Sequence, residues 1–195
     1  VFSRYYLVMS TELLEQLIER ISGVLRHDTR AQLSSEGLQP VQLEALAYLA
    51  RANRYSDTPM GVSEYLGQTK GTVSQTLKVL ENRGLLTKVP DAEDRRVTHL
   101  RLTNRGRDIL ARVRPAPVLQ AAAKQLTPQT LGALHEHLTE LLKLMQQANQ
   151  NRSFAQCVGC KHNSGTETGE FWCNLTQEPL TTEEVQLICR EFEAP

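Results

Sequence analysis

The 195-residue sequence contains no uninterrupted apolar run of the roughly 18 residues that a membrane-spanning helix needs. Its apolar beginning, VFSRYYLVM, is shorter than the hydrophobic part of a secretory signal, and a polar, acidic segment follows it at once. Only four cysteines are present, all of them after position 150. We therefore expect a cytoplasmic protein without a membrane contact, whose cysteines do not form structural disulfides. Met9 is an alternative to Val1 as the natural start of the chain.

The sequence also lacks an excess of charge of either sign, because 22 basic side chains balance 22 acidic ones. A uniformly basic polyanion-binding protein is therefore excluded. The charges are distributed unevenly, since residues 53–114 carry a net charge of +5 and residues 151–195 a net charge of −4. The basic middle indicates a polyanionic partner, although an ordinary solvated surface has the same charge count. No Ser/His/Asp set or carboxylate pair typical of a catalytic site is present, so we do not expect an enzyme.

The order of the predicted elements indicates a fold that is mainly α-helical with a small β hairpin. Two β-prone runs, 85–89 and 97–102, flank a polar turn segment and predict this hairpin. Helix, tight turn, helix and hairpin in this order form a winged helix-turn-helix, in which the hairpin is the wing. Apolar periodicity and capping residues predict helices over 11–32, from Pro40, over 62–66, over 69–82, from Thr103 and from Thr127.

The predicted helix 69–82 has one apolar face and one polar face. The polar face, opposite Val73, Leu77 and Leu80, consists of Gly71, Ser74, Gln75, Lys78 and Asn82. Gln and Lys side chains can bond adenine and guanine edges, and Ser can bond either kind of group. The first turn contains Thr69, Lys70 and Thr72, where free backbone amides favour a phosphate. A solvated helix face is the alternative interpretation of this pattern.

The hairpin tip carries two adjacent arginines, Arg95 and Arg96. At the end of a protruding wing they are placed to enter a minor groove. An exposed basic turn without a partner is the alternative. The helix face and the wing occur in the expected order within the one basic segment, and this coincidence favours the DNA-binding interpretation.

The stretch VSEYLGQTKGTVSQTLKVLENRGLLTKVPDAEDRRVTHLRLTNRGRDIL resembles the winged helix-turn-helix of MarR-type transcriptional regulators. The resemblance covers about residues 10–150. It implies a homodimer that binds an operator and is released by a small ligand or an oxidant. It also implies that residues 69–78 form the recognition helix, that Arg95 and Arg96 are the wing arginines and that Asp94 orients one of them by an ion pair. Gly71 departs from the pattern, because a larger side chain is usual there.

Two predicted helices carry apolar seams with coiled-coil spacing. The seam of the last helix consists of Leu131, Leu134, Leu138, Leu141 and Met145, and that of the first helix of Leu14, Leu17, Ile21 and Val24. Burial within one chain is the alternative, but a small winged core cannot cover both seams. We therefore expect dimerisation regions at 1–36 and 115–150, on either side of a DNA-binding domain at 37–114.

Residues 151–195 form a separate cysteine-rich module with the spacing C-x2-C-x12-C-x15-C, formed by Cys157, Cys160, Cys173 and Cys189. So short a segment rarely folds without a staple, which a metal bound by four thiolates would supply. A capping box at Thr181–Glu184 predicts a helix that carries Cys189 near its end. The isolated last two cysteines and the nearby aromatic residues favour an iron–sulfur cluster, with zinc as the alternative and metal-free thiols or a redox disulfide as a third possibility.

Taken together, the sequence predicts a transcriptional repressor that binds a pseudo-palindromic operator as a homodimer. Its half-sites are expected about one helical turn, ~34 Å, apart. The cysteine module is predicted to be a redox or metal sensor or a structural staple, and a small-molecule effector is a further possible partner. The main alternative is a redox or iron–sulfur protein whose winged helix docks another protein. A thiol oxidoreductase using Cys157 and Cys160 is less favoured, because CVGC lacks a strand-to-helix context.

Overall fold

The structure is a computed structural model that describes residues 2–148, 153–165 and 169–195, with side chains from Thr11 onwards. Val1 lies outside the described residues. Positions 149–152 and 166–168, which belong to the predicted regions 115–150 and 151–195, also lie outside them. In the described part, the winged-helix region and its flanks consist of α1 (Phe2–Glu36), α2 (Pro40–Leu49), α3 (Pro59–Leu66), α4 (Lys70–Asn82), β1 (Leu86–Pro90), β2 (Thr98–Leu102), α5 (Asn104–Val113), α6 (Pro117–Ala123) and α7 (Pro128–Ala148). None of the described helices is long and apolar enough to cross a membrane.

Threonine caps begin four of these helices. The side chains of Thr58, Thr69 and Thr103 accept hydrogen bonds from the backbone amide three residues later, at 3.1, 3.2 and 3.1 Å. Thr127 does the same at the start of α7, over 3.1 Å. Each cap satisfies one of the amides that a helix start leaves without an intrahelical acceptor. These short-range bonds explain why three of the helix starts follow from the sequence, whereas α3 begins three residues before the predicted start at 62.

The core lies between α2, α4, α5 and the β1–β2 hairpin. The apolar face of α4 is buried, as its spacing predicts. β1 and β2 pair antiparallel from Leu86 opposite Leu102 to Pro90 opposite Thr98. The wing therefore extends directly from the core, and α4 lies at the base of the wing. The largest fully buried side chains of this core include Tyr48, Leu43, Leu46, Leu77, Leu80, Leu85 and Leu100.

The long helices α1 and α7 flank this core and expose apolar side chains. No residue of α7 is buried, and Leu134, Leu138 and Met145 are 46%, 54% and 56% exposed. On α1, Leu17 is 56% exposed. Helix α1 also extends beyond the predicted range 11–32 at both ends. Both predicted seams therefore face solvent in the single chain.

The C-terminal module consists of two small antiparallel sheets. β3 (Ala155–Gln156) pairs with β7 (Ile188–Cys189), and β4 (Asn163–Gly165), β5 (Phe171–Cys173) and β6 (Glu178–Leu180) form the second sheet.

The prediction of a helix that carries Cys189 is wrong. The capping box itself is present, because Thr181 N donates to Glu184 Oε2 at 2.9 Å and Glu184 N donates to Thr181 Oγ1 at 3.1 Å. It starts only one 3₁₀ turn, Glu184–Gln186, and Cys189 lies in β7. Tertiary pairing outweighs the local signal, since Ile188 N donates to Arg51 O at 2.6 Å and β7 pairs with β3.

Candidate nucleic-acid interface

Helix α4 presents the predicted polar face to solvent. Its cap Thr69 is followed by the exposed residues Lys70, Gly71, Thr72, Ser74, Gln75 and Lys78. Ser74, Gln75 and Lys78 lie away from the buried apolar face, so their polar groups are available to a partner. A Cβ at Gly71 would meet only Thr69 Oγ1, at 3.9 Å. Packing within the chain therefore does not require the glycine at this position.

The wing tip is ordered by two aspartates. Asp91 Oδ1 accepts hydrogen bonds from the backbone amides of Glu93 and Asp94, at 2.8 and 2.7 Å. Asp94 accepts Nε and Nη2 of Arg96 at 2.9 and 2.8 Å, a bidentate pair. These hydrogen bonds with Arg96 hold the pKa of Asp94 below its usual value. The structure thus places Asp94 beside a wing arginine, Arg96, whose side chain remains 91% exposed. Arg95 is exposed beside it.

A charged network centred on the buried Asp57 ties the wing to the loop before α3. Asp57 Oδ1 lies 2.5 Å from His99 Nδ1, and His99 Nε2 lies 3.0 Å from Asp91 Oδ2. Arg101 pairs with the other oxygen of Asp57 at 2.9 Å, and Leu100 N donates to Asp57 O at 2.7 Å. The side chain of Asp57 is only 2% exposed. Sequence reasoning missed these residues, because an acid in a polar loop resembles a solvated side chain.

The network shifts the pKa of its members. Burial opposes protonation of His99, but the hydrogen bonds with Asp57 and Asp91 outweigh it and raise the pKa of His99 above 6.5. Burial raises the pKa of Asp57, against the opposing effect of His99 and Arg101. Backbone amides and His99 lower the pKa of Asp91 to about 2. Protonated His99 is therefore held between two carboxylates.

The His99→Gln variant should lose stability in a pH-dependent way. Because the folded-state pKa of His99 is raised, its stabilising contribution is complete below the unfolded value of about 6.5 and is lost as pH rises through the folded value. The difference in free energy of unfolding between wild type and variant should be about 1–2 kcal/mol near pH 6 and decline as the pH rises through the raised folded-state pKa. Urea unfolding across this range measures it, with the exposed His135→Gln as control. A difference that does not change with pH would contradict the assigned network with Asp57, Asp91 and Arg101.

The four cysteines come together around one cavity of about 20 Å³, which Asn163 and His162 also line. All four are buried, and none forms a disulfide. Burial and the three other cysteines raise the pKa of the Cys157 thiol to about 12. A backbone amide contacts one of the sulfurs, since Glu193 N donates to Cys160 Sγ at 3.5 Å. In the described ranges, no three Cys, His, Asp or Glu side chains are already arranged as a metal-binding group.

Charged pairs attach the cysteine module to the winged helix. Arg54 pairs with Glu178 and Glu184, each at 3.0 Å. Arg190 forms a bidentate pair with Glu64 of α3, at 2.9 and 3.1 Å. The module is therefore anchored to the loop between α2 and α3 and to α3 itself.

Apolar contacts continue the core into the module. Ile188 belongs to the winged-helix core, and the ring of Phe154 packs edge-on against Tyr48 and Tyr65, with centroids 6.1 and 5.3 Å apart. The sequence contains no local signal for this docking, because Phe154 lies 89 positions after Tyr65 and 106 positions after Tyr48.

A separate cavity of about 660 Å³ lies between α2, α3 and α5. Its volume is in the range of small-molecule sites. Apolar side chains and a few cations line it, including Ala47, Arg51, Tyr65, Leu66, Leu110 and Arg114.

Residues 36–97, from the end of α1 to the wing, match the family model described as MarR family. The winged-helix segment of this chain is therefore similar to the MarR family. Members of this family are transcriptional regulators and not enzymes, in agreement with the prediction from the sequence. The chain is 28% identical over 103 residues to the transcriptional repressor MprA of Escherichia coli K12. That match covers 53% of this chain and 58% of the repressor, so the chain matches little more than half the length of this relative.

Solved structures share the MarR-type fold. A MarR family protein from Bacillus stearothermophilus superposes with a TM-score of 0.59 at 22% identity, covering 70% of this chain and 96% of that chain. The Staphylococcus aureus MepR–DNA complex gives a TM-score of 0.53 at 24% identity and covers 67% and 96%. The structures show a shared winged-helix fold, and the family model and the curated relative show that part of the chain is similar to MarR-type regulators.

Proposed function

We propose that the protein is a transcriptional repressor that binds a pseudo-palindromic operator as a homodimer. The observation that carries the proposal is the groove between α4 and the wing. Its volume is about 520 Å³, and its lining includes Lys70 and Ser74 of α4, Lys88 of β1 and Arg96 of the wing tip. Cations on both walls suit a polyphosphate backbone, while the exposed face of α4 suits base edges in a major groove.

Within this proposal the parts of the interface have different roles. Ser74, Gln75 and Lys78 contact base edges, because they lie along the exposed face of a helix narrow enough for the major groove. Thr69, Lys70, Gly71 and Thr72 contact phosphate at the helix N-terminus, where the amides of the first helical positions have no intrahelical acceptor. Arg95 and Arg96 contact the minor groove or its phosphates, and Asp94 positions Arg96. MepR, a protein of the same fold, was solved bound to DNA.

The homodimer is proposed from the apolar faces of α1 and α7. Contiguous apolar surface of this extent is uncommon on a monomer and marks an interaction site. Its position on the outer helices would place two copies of α4 on one side of the dimer, as two half-sites about one helical turn apart require.

We propose two sites at which a signal regulates DNA binding. The 660 Å³ cavity between α2, α3 and α5 would accommodate a small-molecule effector. The four-cysteine module would serve as a redox or metal sensor or as a staple that holds the C-terminal segment folded, with an iron–sulfur cluster or zinc as its cofactor.

Selection from random duplex DNA tests the proposed function. The full chain should enrich a palindromic site with half-sites about 10 base pairs apart, and sedimentation should show two chains on each duplex. Gln75→Ala should weaken binding to the selected site by about 1–3 kcal/mol and relax its sequence preference, because a base contact is lost. Gln129→Ala, on the exposed surface of α7, is the matched control. A chain that binds no duplex at low salt would instead support the docking role of the winged helix.

A further inference from the structure

The loop between α2 and α3 contacts the cysteine module on one side and the wing on the other. Asn53 N donates to Ile188 O at 3.0 Å, and Arg190 N donates to Ser56 Oγ at 2.9 Å. These two bonds hold the residues on either side of Cys189. At the other end of the loop, Asp57 holds β2 through its carbonyl and its carboxylate. Five consecutive residues, 53–57, thus join a cysteine to the base of the wing.

Buried polar groups without partners point towards the cysteine cavity. The side-chain oxygen of Asn53 accepts a hydrogen bond from Ser56 Oγ at 2.7 Å. Its side-chain amide nitrogen is buried and has no hydrogen-bond partner. This amide lies beside Cys189, since the backbone amide of Asn53 bonds the carbonyl of the preceding residue, Ile188. The side-chain oxygen of Asn163, which lines the cavity, is also buried without a partner. A thiolate at Cys189 would give the Asn53 amide a charged acceptor.

The size of the cavity favours one ion. Its volume of about 20 Å³ is that of about one or two water-sized spheres, since one such sphere needs roughly 10–15 Å³. A single ion can therefore be enclosed by the four sulfurs with less rearrangement of the cavity than a cluster of several iron and sulfide atoms requires. Four thiolates form the donor set of tetrahedral structural zinc sites and select soft divalent ions over hard ones.

We propose that a single zinc-class divalent ion is bound by Cys157, Cys160, Cys173 and Cys189. This ion fixes the position of the 53–57 loop, and the loop in turn holds the wing in the orientation that binds DNA. The four side chains must close around the ion, because in the described part of the chain they line the cavity without a ready coordinating group. Bound thiolate at Cys189 orders Asn53, and Asn53 and Ser56 in turn fix Asp57 against His99 and Arg101. The DNA readout rests on the proposed function, whereas the metal site does not. The iron–sulfur prediction from the spacing is the competing outcome of the test.

Metal analysis of the full chain, purified without oxygen, tests the site. We expect about one zinc per chain and no absorption band near 400 nm, as four cysteines with one ion require. Co²⁺ added to the metal-free wild type should give the visible spectrum of a tetrahedral thiolate site, a readout that needs no variant. Cys157→Ser should lose the metal, and Val158→Ser, in the same turn but outside the cavity, should retain it. Iron with sulfide and a brown colour, or no bound metal and no cobalt spectrum, would overturn the single-ion site.

The coupling to the wing is tested by DNA binding with and without metal. Fluorescence anisotropy with a labelled duplex of about 30 base pairs, long enough for two half-sites, is the probe. Removing zinc from wild type should weaken binding about tenfold or more, within the usual range for coupled sites. In Asp57→Asn the zinc should remain, while its effect on DNA affinity should largely disappear. Asp108→Asn, the same change on the exposed surface of α5, should behave as wild type.

The outcomes separate this inference from the proposed function. If wild type binds duplex equally well with and without zinc, the proposed coupling is wrong, whereas the proposed DNA-binding function still holds. If wild type binds no duplex in either state, the proposed function is wrong, and the metal analysis still decides the ion site.

Discussion

The double variant Arg95→Ala, Arg96→Ala should bind every duplex DNA about a hundredfold more weakly than wild type, whatever the sequence of the duplex. Arg96 is held by Asp94 at the wing tip, and its side chain is 91% exposed. Because the guanidinium is already fixed in place, binding a partner costs little side-chain conformational entropy. Each lost phosphate contact should reduce the slope of log affinity against log salt concentration by about 1. A dimer with two wings would therefore lose a slope of up to about 4.

Titrations of one duplex at several salt concentrations measure this slope. The matched control is Lys124→Ala, Lys143→Ala, which removes the same charge from exposed positions on α6 and the end of α7. This control should change the slope much less, because those helices lie away from α4 and the wing. An unchanged slope in the arginine variant would remove the wing from the proposed interface.

Gly106→Ala should lower the free energy of unfolding by about 3 kcal/mol, the upper part of the range for overpacking a core. A Cβ on Gly106 would overlap the carbonyl oxygen of Leu85 and lie 3.1 Å from its carbon. The same carbonyl accepts Thr103 N at 3.1 Å, so it cannot move away without loss of that bond. Helix α5 must therefore shift from the end of the hairpin, or the backbone at Leu85 must distort.

Urea unfolding at a fixed protein concentration measures this loss, since dimerisation makes stability depend on concentration. Gly132→Ala is the matched control in the middle of α7, where an added Cβ meets nothing within 4 Å. It should leave stability unchanged or raise it by up to about 1 kcal/mol, because alanine favours a helix. Equal stability of Gly106→Ala and wild type would show that α5 does not approach Leu85 as described.

The elements follow from the sequence where the decisive contacts are local. Thr69, Thr103 and Thr127 cap helices through bonds to residues three positions away, and Gly84 ends the turn after α4 with a φ of 66°. The polar face of α4 is equally local, because helical periodicity alone separates it from the buried face. These features made the winged helix and its exposed surface predictable.

The remaining features depend on partners distant in the chain. Asp57 and His99 are 42 positions apart, and Arg54 and Glu184 are 130 apart, so no local pattern pairs them. Cys189 illustrates the same limit, because its capping box predicted a helix and the pairing of β7 with β3 and Arg51 produced a strand. The spacing of the cysteines predicted that they lie together. It did not predict that they lie against the loop before α3.

The insertion of Ile188 and Phe154 into the winged-helix core makes the C-terminal segment inseparable from the rest of the chain. A protein cut before Phe154 would leave the rings of Tyr48 and Tyr65 bare to water on one side, and the end of α2 without its backbone partner. Proteolytic cleavage of this tail would therefore damage the packing of the winged-helix core as well as remove the cysteines.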